Sequence, residues 1–128
     1  MRSEEAILAR ARVLNLVEAL SHGVSLELLR PELQRHGLGI HLTEREARWF
    51  AEEEAVDADD PRAAMTALAW ALGITGSLDG ADVEAIRDAL DALTPSIALR
   101  ESSVIQSQLA ATTGSAQAAL RWVLGTRV

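Results

Sequence analysis

The chain has 128 residues, of which 48% are hydrophobic, and a formal net charge of −7 at pH 7. It contains no cysteine and no lysine, so all 12 basic residues are arginines. This composition excludes disulfides, zinc–thiolate sites, Walker-type phosphate loops and lysine nucleophiles. The acidic balance argues against a nucleic-acid partner, because phosphate contacts need clustered basic residues. Charged residues interrupt the apolar runs, so we expect no signal peptide, no membrane partner and a cytoplasmic location.

The negative charge is concentrated in the middle of the chain. Residues 44–91 hold thirteen acids against four arginines, whereas the acids and arginines of residues 1–43 cancel and residues 92–128 carry a balance of +2. Such a concentration favours a surface that meets a basic partner, or a face that is only solvated.

The first part of the chain shows two amphipathic helices. Ser3 is placed to cap the first, whose apolar residues repeat at helical spacing until it ends at Gly23. Ser25 opens a second helix that ends at Gly37, and Pro31 predicts a kink or a restart within it.

The acidic middle contains two clear helix starts. Thr43 and Glu46 form a capping box, and the helix that follows is predicted to run into the acids at 52–54. Asp60 is a suitable N-cap for a fourth helix, because Pro61 then takes the first helical position, where its missing N–H costs nothing.

The second half of the chain is also helical. The fourth helix is apolar on all sides around Trp70, which predicts a central position. An apolar stripe from Val83 to Leu93 marks a fifth helix. Ser103 with Gln106 predicts a capping box at the start of a C-terminal helix. Gly114 is expected either to weaken that helix or to split it. No alternating strand pattern occurs. The sequence therefore predicts an all-α single domain over residues 1–128, with five to seven helices and short connections.

Residues that could carry catalysis or bind metal are few. His22 and His36 precede glycines at helix ends, where a protonated imidazole favours the negative end of the helix dipole. His36 and His41 could pair on a metal only with carboxylates from elsewhere, and no HExxH or Glu-x-x-His spacing accompanies them. The aspartates at 57–60 lack the glycine and glutamate of an EF-hand loop. We therefore predict no catalytic residue, no metal site, no cofactor and no enzyme activity.

Several segments carry a family resemblance. They are Ala69-Trp70-Ala71-Leu72-Gly73, Arg10-Ala11-Arg12-Val13-Leu14, Leu42-Thr43-Glu44-Arg45-Glu46 and the C-terminal helix with Trp122. With these segments the chain resembles a bacterial family known only as domain of unknown function number 4272. The chain differs from that family at Ala63 and Thr66, where members share a glutamate and a second tryptophan. The resemblance implies a helical fold and supplies no activity.

The leading functional hypothesis is a non-enzymatic protein-binding module. In its most concrete form it is an immunity- or antitoxin-type inhibitor, whose acidic face covers a basic partner protein. Trp49, beside the acidic run, is either an exposed anchor or a core residue. The candidate partner-binding residues are Trp49, Glu52, Glu53, Glu54, Asp57, Asp59, Asp60, Asp82 and Asp88. The alternative is a small-molecule-binding or regulatory domain, with a pocket between helices near Trp70 and Trp122.

Overall fold

The computed structural model describes residues 1–80 and 82–125; residues 81 and 126–128, which the predicted domain includes, lie outside this description. The described residues form helices and no strand, which confirms the all-α prediction. The α-helices are α1 (Glu4–Ser21), α2 (Leu26–Arg35), α3 (Glu44–Phe50), α4 (Pro61–Ala71), α5 (Val83–Asp91), α6 (Ser102–Leu109) and α7 (Gly114–Leu124), and a 3₁₀ turn, Gly39–His41, precedes α3. Within this described part, no helix has both the length and the apolar character needed to cross a membrane.

Side-chain caps start four of the helices as predicted. Ser3 and Asp60 each accept a hydrogen bond at 3.1 Å from the backbone N–H three residues further on. Ser25 accepts one at 3.2 Å from the N–H of Glu27. At α3, Thr43 and Glu46 bond each other reciprocally, so the capping box is present. These bonds satisfy N–H groups that have no partner within their own helix.

Of the two outcomes predicted at Pro31, the restart is wrong, since α2 runs through this residue without interruption, and the kink stays a prediction. Leu26 and Leu29 are buried before the proline, and Leu33 packs against the same cluster after it. Packing on both sides of Pro31 therefore holds the helix together despite the missing backbone hydrogen bond.

Two details of the second half also differ from the predictions. Helix α5 ends at Asp91, so Leu93 leaves the apolar stripe and is 64% exposed. Helix α6 starts one residue before Ser103, with Glu101 as an N-cap that makes no side-chain hydrogen bond. The predicted capping box at Ser103 is therefore wrong. The predicted split at Gly114 is confirmed, because this residue, at a positive φ, begins a separate helix.

Helix α4 is the central element, as predicted from its all-round apolar sequence. Every residue from 65 to 72 is buried, and the helix packs between α1 and α7. Its alanines present almost no side-chain bulk, so the neighbouring helices approach closely.

The apolar side chains form two cores, and α1 contributes to both. The larger core consists of Ile7, Ala11, Met65, Ala67, Leu68, Ala69, Trp70, Ala71, Leu72, Val83, Ile86, Leu90, Ile105, Leu120 and Val123. The smaller core consists of Ala9, Val13, Leu16, Val17, Leu26, Leu29, Leu38, Trp49 and Phe50. Helix α1 therefore joins α4–α7 on one side to α2 and α3 on the other.

The C-terminal end of α4 is closed by a segment from much later in the chain. Arg100 donates hydrogen bonds to the carbonyl oxygens of Trp70, at 2.7 Å, and Thr75, at 3.0 Å. Its guanidinium carbon also lies 4.7 Å from the centroid of the Trp70 ring. Gly73 has a φ of +72°, and a Cβ there would lie 2.6 Å from the carbonyl oxygen of Ala98. The Trp-Ala-Leu-Gly element thus has a structural role, because only glycine fits this approach.

Candidate functional site

A cleft of about 670 Å³ opens where α1, α4 and α7 meet. Leu14, Leu68 and Trp122 supply its larger apolar surfaces. The space between them exists because most of the other helical residues that line it are small, among them Ala6, Ala64, Gly114, Ala118 and Ala119. This is a concave, mostly apolar site at the junction of three helices, the usual setting of a ligand pocket in a helical protein.

An ion pair fixes the polar edge of the cleft. Arg10 donates to both carboxylate oxygens of Glu46, at 2.7 and 3.0 Å, and to the backbone carbonyl of His41 at 3.3 Å. Glu46 also accepts from the N–H of Thr43 at 2.8 Å, as part of the capping box. The orientation of Arg10 is therefore set by the same carboxylate that starts α3.

The carboxylate of Glu46 stays charged near neutral pH. Burial raises the pKa of Glu46, but hydrogen bonds from Arg10 and Thr43 outweigh this effect and hold that pKa below its ordinary value. The carboxylate is therefore ionised over the physiological range, and the cleft edge presents a fixed dipole rather than a titrating group.

Hydrogen bonds also hold the other edge of the cleft. Ser115 donates to the backbone carbonyl of Asp59 at 2.7 Å, which ties the loop before α4 to the start of α7. Arg2 donates to the carbonyl of Trp122 at 3.0 Å and covers its ring, with the guanidinium carbon 5.0 Å from the ring centroid. These contacts fix the shape of the cleft and commit the Ser115 proton to a backbone acceptor.

Trp49 is not an exposed anchor. Its side chain belongs to the smaller core, its exposed fraction is 6%, and neighbouring Phe50 is buried with it. The guanidinium carbon of Arg45 lies 5.3 Å from the centroid of the Trp49 ring. The interpretation of Trp49 as an aromatic contact for a partner is therefore corrected: it is a core residue.

The acids after α3 lie in a loop, because the helix ends at Phe50 instead of continuing through them. Two of these acids already have arginine partners: Glu54 pairs with Arg48 at 3.0 Å and Asp57 with Arg45 at 2.9 Å.

Glu52 and Glu53 make no ion pair among the described residues. Both line a groove of about 500 Å³ with Leu20, Val24 and Val56. Glu52 adopts a φ of +61°, a conformation that non-glycine residues rarely take. The loop thus presents two free carboxylates beside an apolar groove.

The remaining acidic candidates have separate surroundings. Asp59 lies at the cleft edge, and Asp60 caps α4. Asp82 accepts a hydrogen bond from the Thr75 hydroxyl at 3.3 Å at the start of α5, while Asp88 is exposed on that helix. Some of the candidate acids therefore have local structural roles, as a helix cap or a hydrogen-bond acceptor.

The sequence profile of a family described as a domain of unknown function (DUF4272) matches residues 1–113. The chain belongs to this family. The match runs from α1 through α6, so it includes Arg10, Glu46 and Asp59 of the cleft and leaves out the wall that α7 contributes. No curated protein and no solved structure shows significant similarity to this DUF4272 member.

The cleft only partly coincides with the pocket expected between helices near Trp70 and Trp122. Trp122 lines it, but Trp70 lies in the larger core beneath Arg100. Sequence reasoning missed Arg10, although its position four residues before Leu14 places both on one face of α1. An arginine within an apolar stripe was the available signal.

Proposed function

We propose that this DUF4272 member is a non-enzymatic binding module that holds a small, mostly apolar molecule in the cleft between α1, α4 and α7. The cleft itself carries the proposal. Its volume of about 670 Å³ falls within the range of roughly 300–1,000 Å³ that ligand pockets usually occupy. Its apolar walls and polar edge fit a ligand with a hydrophobic body and one or two hydrogen-bonding groups.

The polar groups of the cleft favour binding over catalysis. Arg10 is held by both oxygens of Glu46, and the Ser115 hydroxyl donates to a backbone carbonyl. Thr43 accepts from the N–H of Glu46 at 3.1 Å and keeps its hydroxyl proton for a ligand acceptor. Such a pre-organised edge orients a ligand at little entropic cost.

Filling the cleft tests the proposal. Ala118→Trp adds bulk inside it at an exposed position, and Ala110→Trp adds the same bulk to an exposed residue outside it. A ligand at a concentration of about a hundredfold its Kd adds about 2.7 kcal/mol to the free energy of unfolding, which raises the Tm by several degrees. In a thermal-shift screen of small metabolites, we expect this increase in the wild type and in Ala110→Trp but not in Ala118→Trp. An equal increase in Ala118→Trp would contradict binding in the cleft.

A second candidate function is binding of a basic protein, in the manner of an immunity or antitoxin-type inhibitor. The observation that favours it is the groove beside Glu52 and Glu53, where two carboxylates without arginine partners border apolar side chains. An arginine or lysine of a partner has the matching chemistry, with an aliphatic stem for the groove and a cation for the carboxylates.

A further inference from the structure

Three potential metal ligands from α2 and α5 converge at a site that shares no residue with the cleft. They are Glu32, His36 and Asp91, whose ligand atoms all lie within 4.8 Å of one another. One nitrogen of Arg35 is 3.1 Å from a carboxylate oxygen of Glu32, 3.2 Å from Nε2 of His36 and 2.9 Å from a carboxylate oxygen of Asp91. A single cationic nitrogen therefore occupies the point that all three ligand atoms face.

The helices explain why these side chains meet. Glu32 lies in the last turn of α2 and His36, four residues later, is the C-cap of that helix, so the two side chains lie on one face about one turn apart. Asp91 is the last residue of α5 and reaches the same point from another part of the chain. The spacing of Glu32 and His36 is visible in the sequence, but the third ligand is 55 residues beyond His36.

His36 differs from an ordinary solvated histidine at a helix end. Its side chain is only 4% exposed, and its Nδ1 has no hydrogen-bond partner among the described residues. Its Nε2 faces the two carboxylates and lies 3.7 Å from an oxygen of Glu32. An imidazole nitrogen in this position is a common metal ligand.

Space and mobility are both available at the cluster. A cavity of about 70 Å³ adjoins the three side chains and also includes Asn15. A water molecule occupies about 30 Å³, so there is room for a solvent ligand beside an ion. The side chain of Arg35 is 38% exposed and can move out into solvent.

We propose that Glu32, His36 and Asp91 bind a divalent transition metal such as Zn²⁺, and that Arg35 takes the place of the cation when the metal is absent. One imidazole and two carboxylates, with water in the fourth position, suit zinc and related metals. Bonds of about 2.0–2.1 Å require ligand atoms roughly 3.3 Å apart. Glu32 and His36 approach to 3.7 Å and all three ligand atoms lie within 4.8 Å of one another, so metal binding draws them together by up to about 1.5 Å.

Titration of the full chain with Zn²⁺ alone, followed by calorimetry, tests the site. We expect one Zn²⁺ per chain, and about tenfold tighter binding by Arg35→Ala because the competing cation is gone. Asp91→Asn, at a side chain that is 67% exposed, should retain the fold by circular dichroism and bind at least about tenfold more weakly. His22→Ala removes a histidine at the end of α1 and serves as the matched control, with unchanged affinity.

Two results would overturn the proposal. One is wild-type Zn²⁺ affinity in Asp91→Asn. The other is the lack of one-to-one binding by Arg35→Ala, the variant without the cation that contacts all three ligands.

Discussion

Glu46 shows how one side chain links local folding to the candidate site. Its carboxylate accepts from the N–H of Thr43, which completes the capping box, and from two nitrogens of Arg10 in α1. The capping box was predicted because both partners lie within four residues. The contact with Arg10 was not, because it spans 36 residues and depends on how α3 packs against α1.

Replacing this carboxylate by a neutral amide should make stability less dependent on pH. We expect Glu46→Gln to lower the free energy of unfolding by about 1.5–3 kcal/mol near neutral pH, because charge-assisted hydrogen bonds are lost. The pKa of Glu46 is depressed in the folded state. The stabilisation is therefore present above the unfolded pKa and is lost as the pH falls through the folded pKa.

Urea unfolding at about pH 7 and about pH 3 measures this effect. The difference between wild type and Glu46→Gln should narrow at the acidic pH. Glu44→Gln, at an exposed acid on the same helix, is the control and should leave stability nearly unchanged. A difference that stays constant with pH would rule out the ionised carboxylate as its source.

Trp49 shows where reasoning from adjacent residues fails. Trp49 and Phe50 project about 100° apart on a helix, which led us to expect that both need not be buried. Both are buried because the chain turns back after α3, and Val56 and Ala58 pack against the same core. The covering residues belong to a loop, whose path helical periodicity does not specify.

At the scale of secondary-structure elements, helix starts were predicted well where a side chain caps them. Ser3, Thr43 and Asp60 each have the capping bond that the sequence indicated. The start of α6 was misplaced because Glu101 makes no such bond. The restart predicted at Pro31 is wrong because tertiary packing outweighs the lost hydrogen bond, and a local rule does not include that contribution.

The end of α4 depends on Arg100, so this residue should matter more to stability than a typical surface arginine. Arg100→Met keeps an unbranched aliphatic chain but removes the hydrogen bonds to Trp70 and Thr75 and the cation over the indole ring. We expect a loss of about 2 kcal/mol in the free energy of unfolding, measured in urea. Arg121→Met on α7 is the control, with a change within about 0.5 kcal/mol. Equal losses in the two variants would show that Arg100 does not close the helix.

At the scale of the whole molecule, the acidic middle is less negative on the surface than its composition indicates. Arginines within and beyond this segment pair with several of its acids. The ion pairs are Arg45–Asp57, Arg48–Glu54, Arg87–Glu84 and Arg35–Asp91. The sequence shows the number of charges, but their pairing depends on the arrangement of helices. Among the acids that make no ion pair in the described residues, Glu52 and Glu53 are the two that border an apolar groove.

This pairing makes the protein-binding candidate testable by comparing two sets of acids. With a basic partner obtained by affinity purification from the native host, the double variant Glu52→Gln, Glu53→Gln should slow association about tenfold or more at low salt, with little change in dissociation. The matched control is Asp57→Asn, Glu84→Gln, whose carboxylates are paired with arginines and lie outside the groove. Surface plasmon resonance at two salt concentrations measures both rates. Equal association rates for the two double variants would exclude the groove as the contact.

The two sides of the cleft differ in their relation to the family. Arg10 and Glu46 lie within the residues that the DUF4272 profile matches, whereas Ala118 and Trp122 lie on α7, beyond its limit at residue 113. Under the proposed function, substitutions on the exposed face of α7 would change the ligand that the cleft accepts, while Leu120 and Val123 keep the helix packed in the larger core. The charged edge and the apolar wall of the cleft therefore come from different helices, so each can be altered by substitutions that leave the other in place.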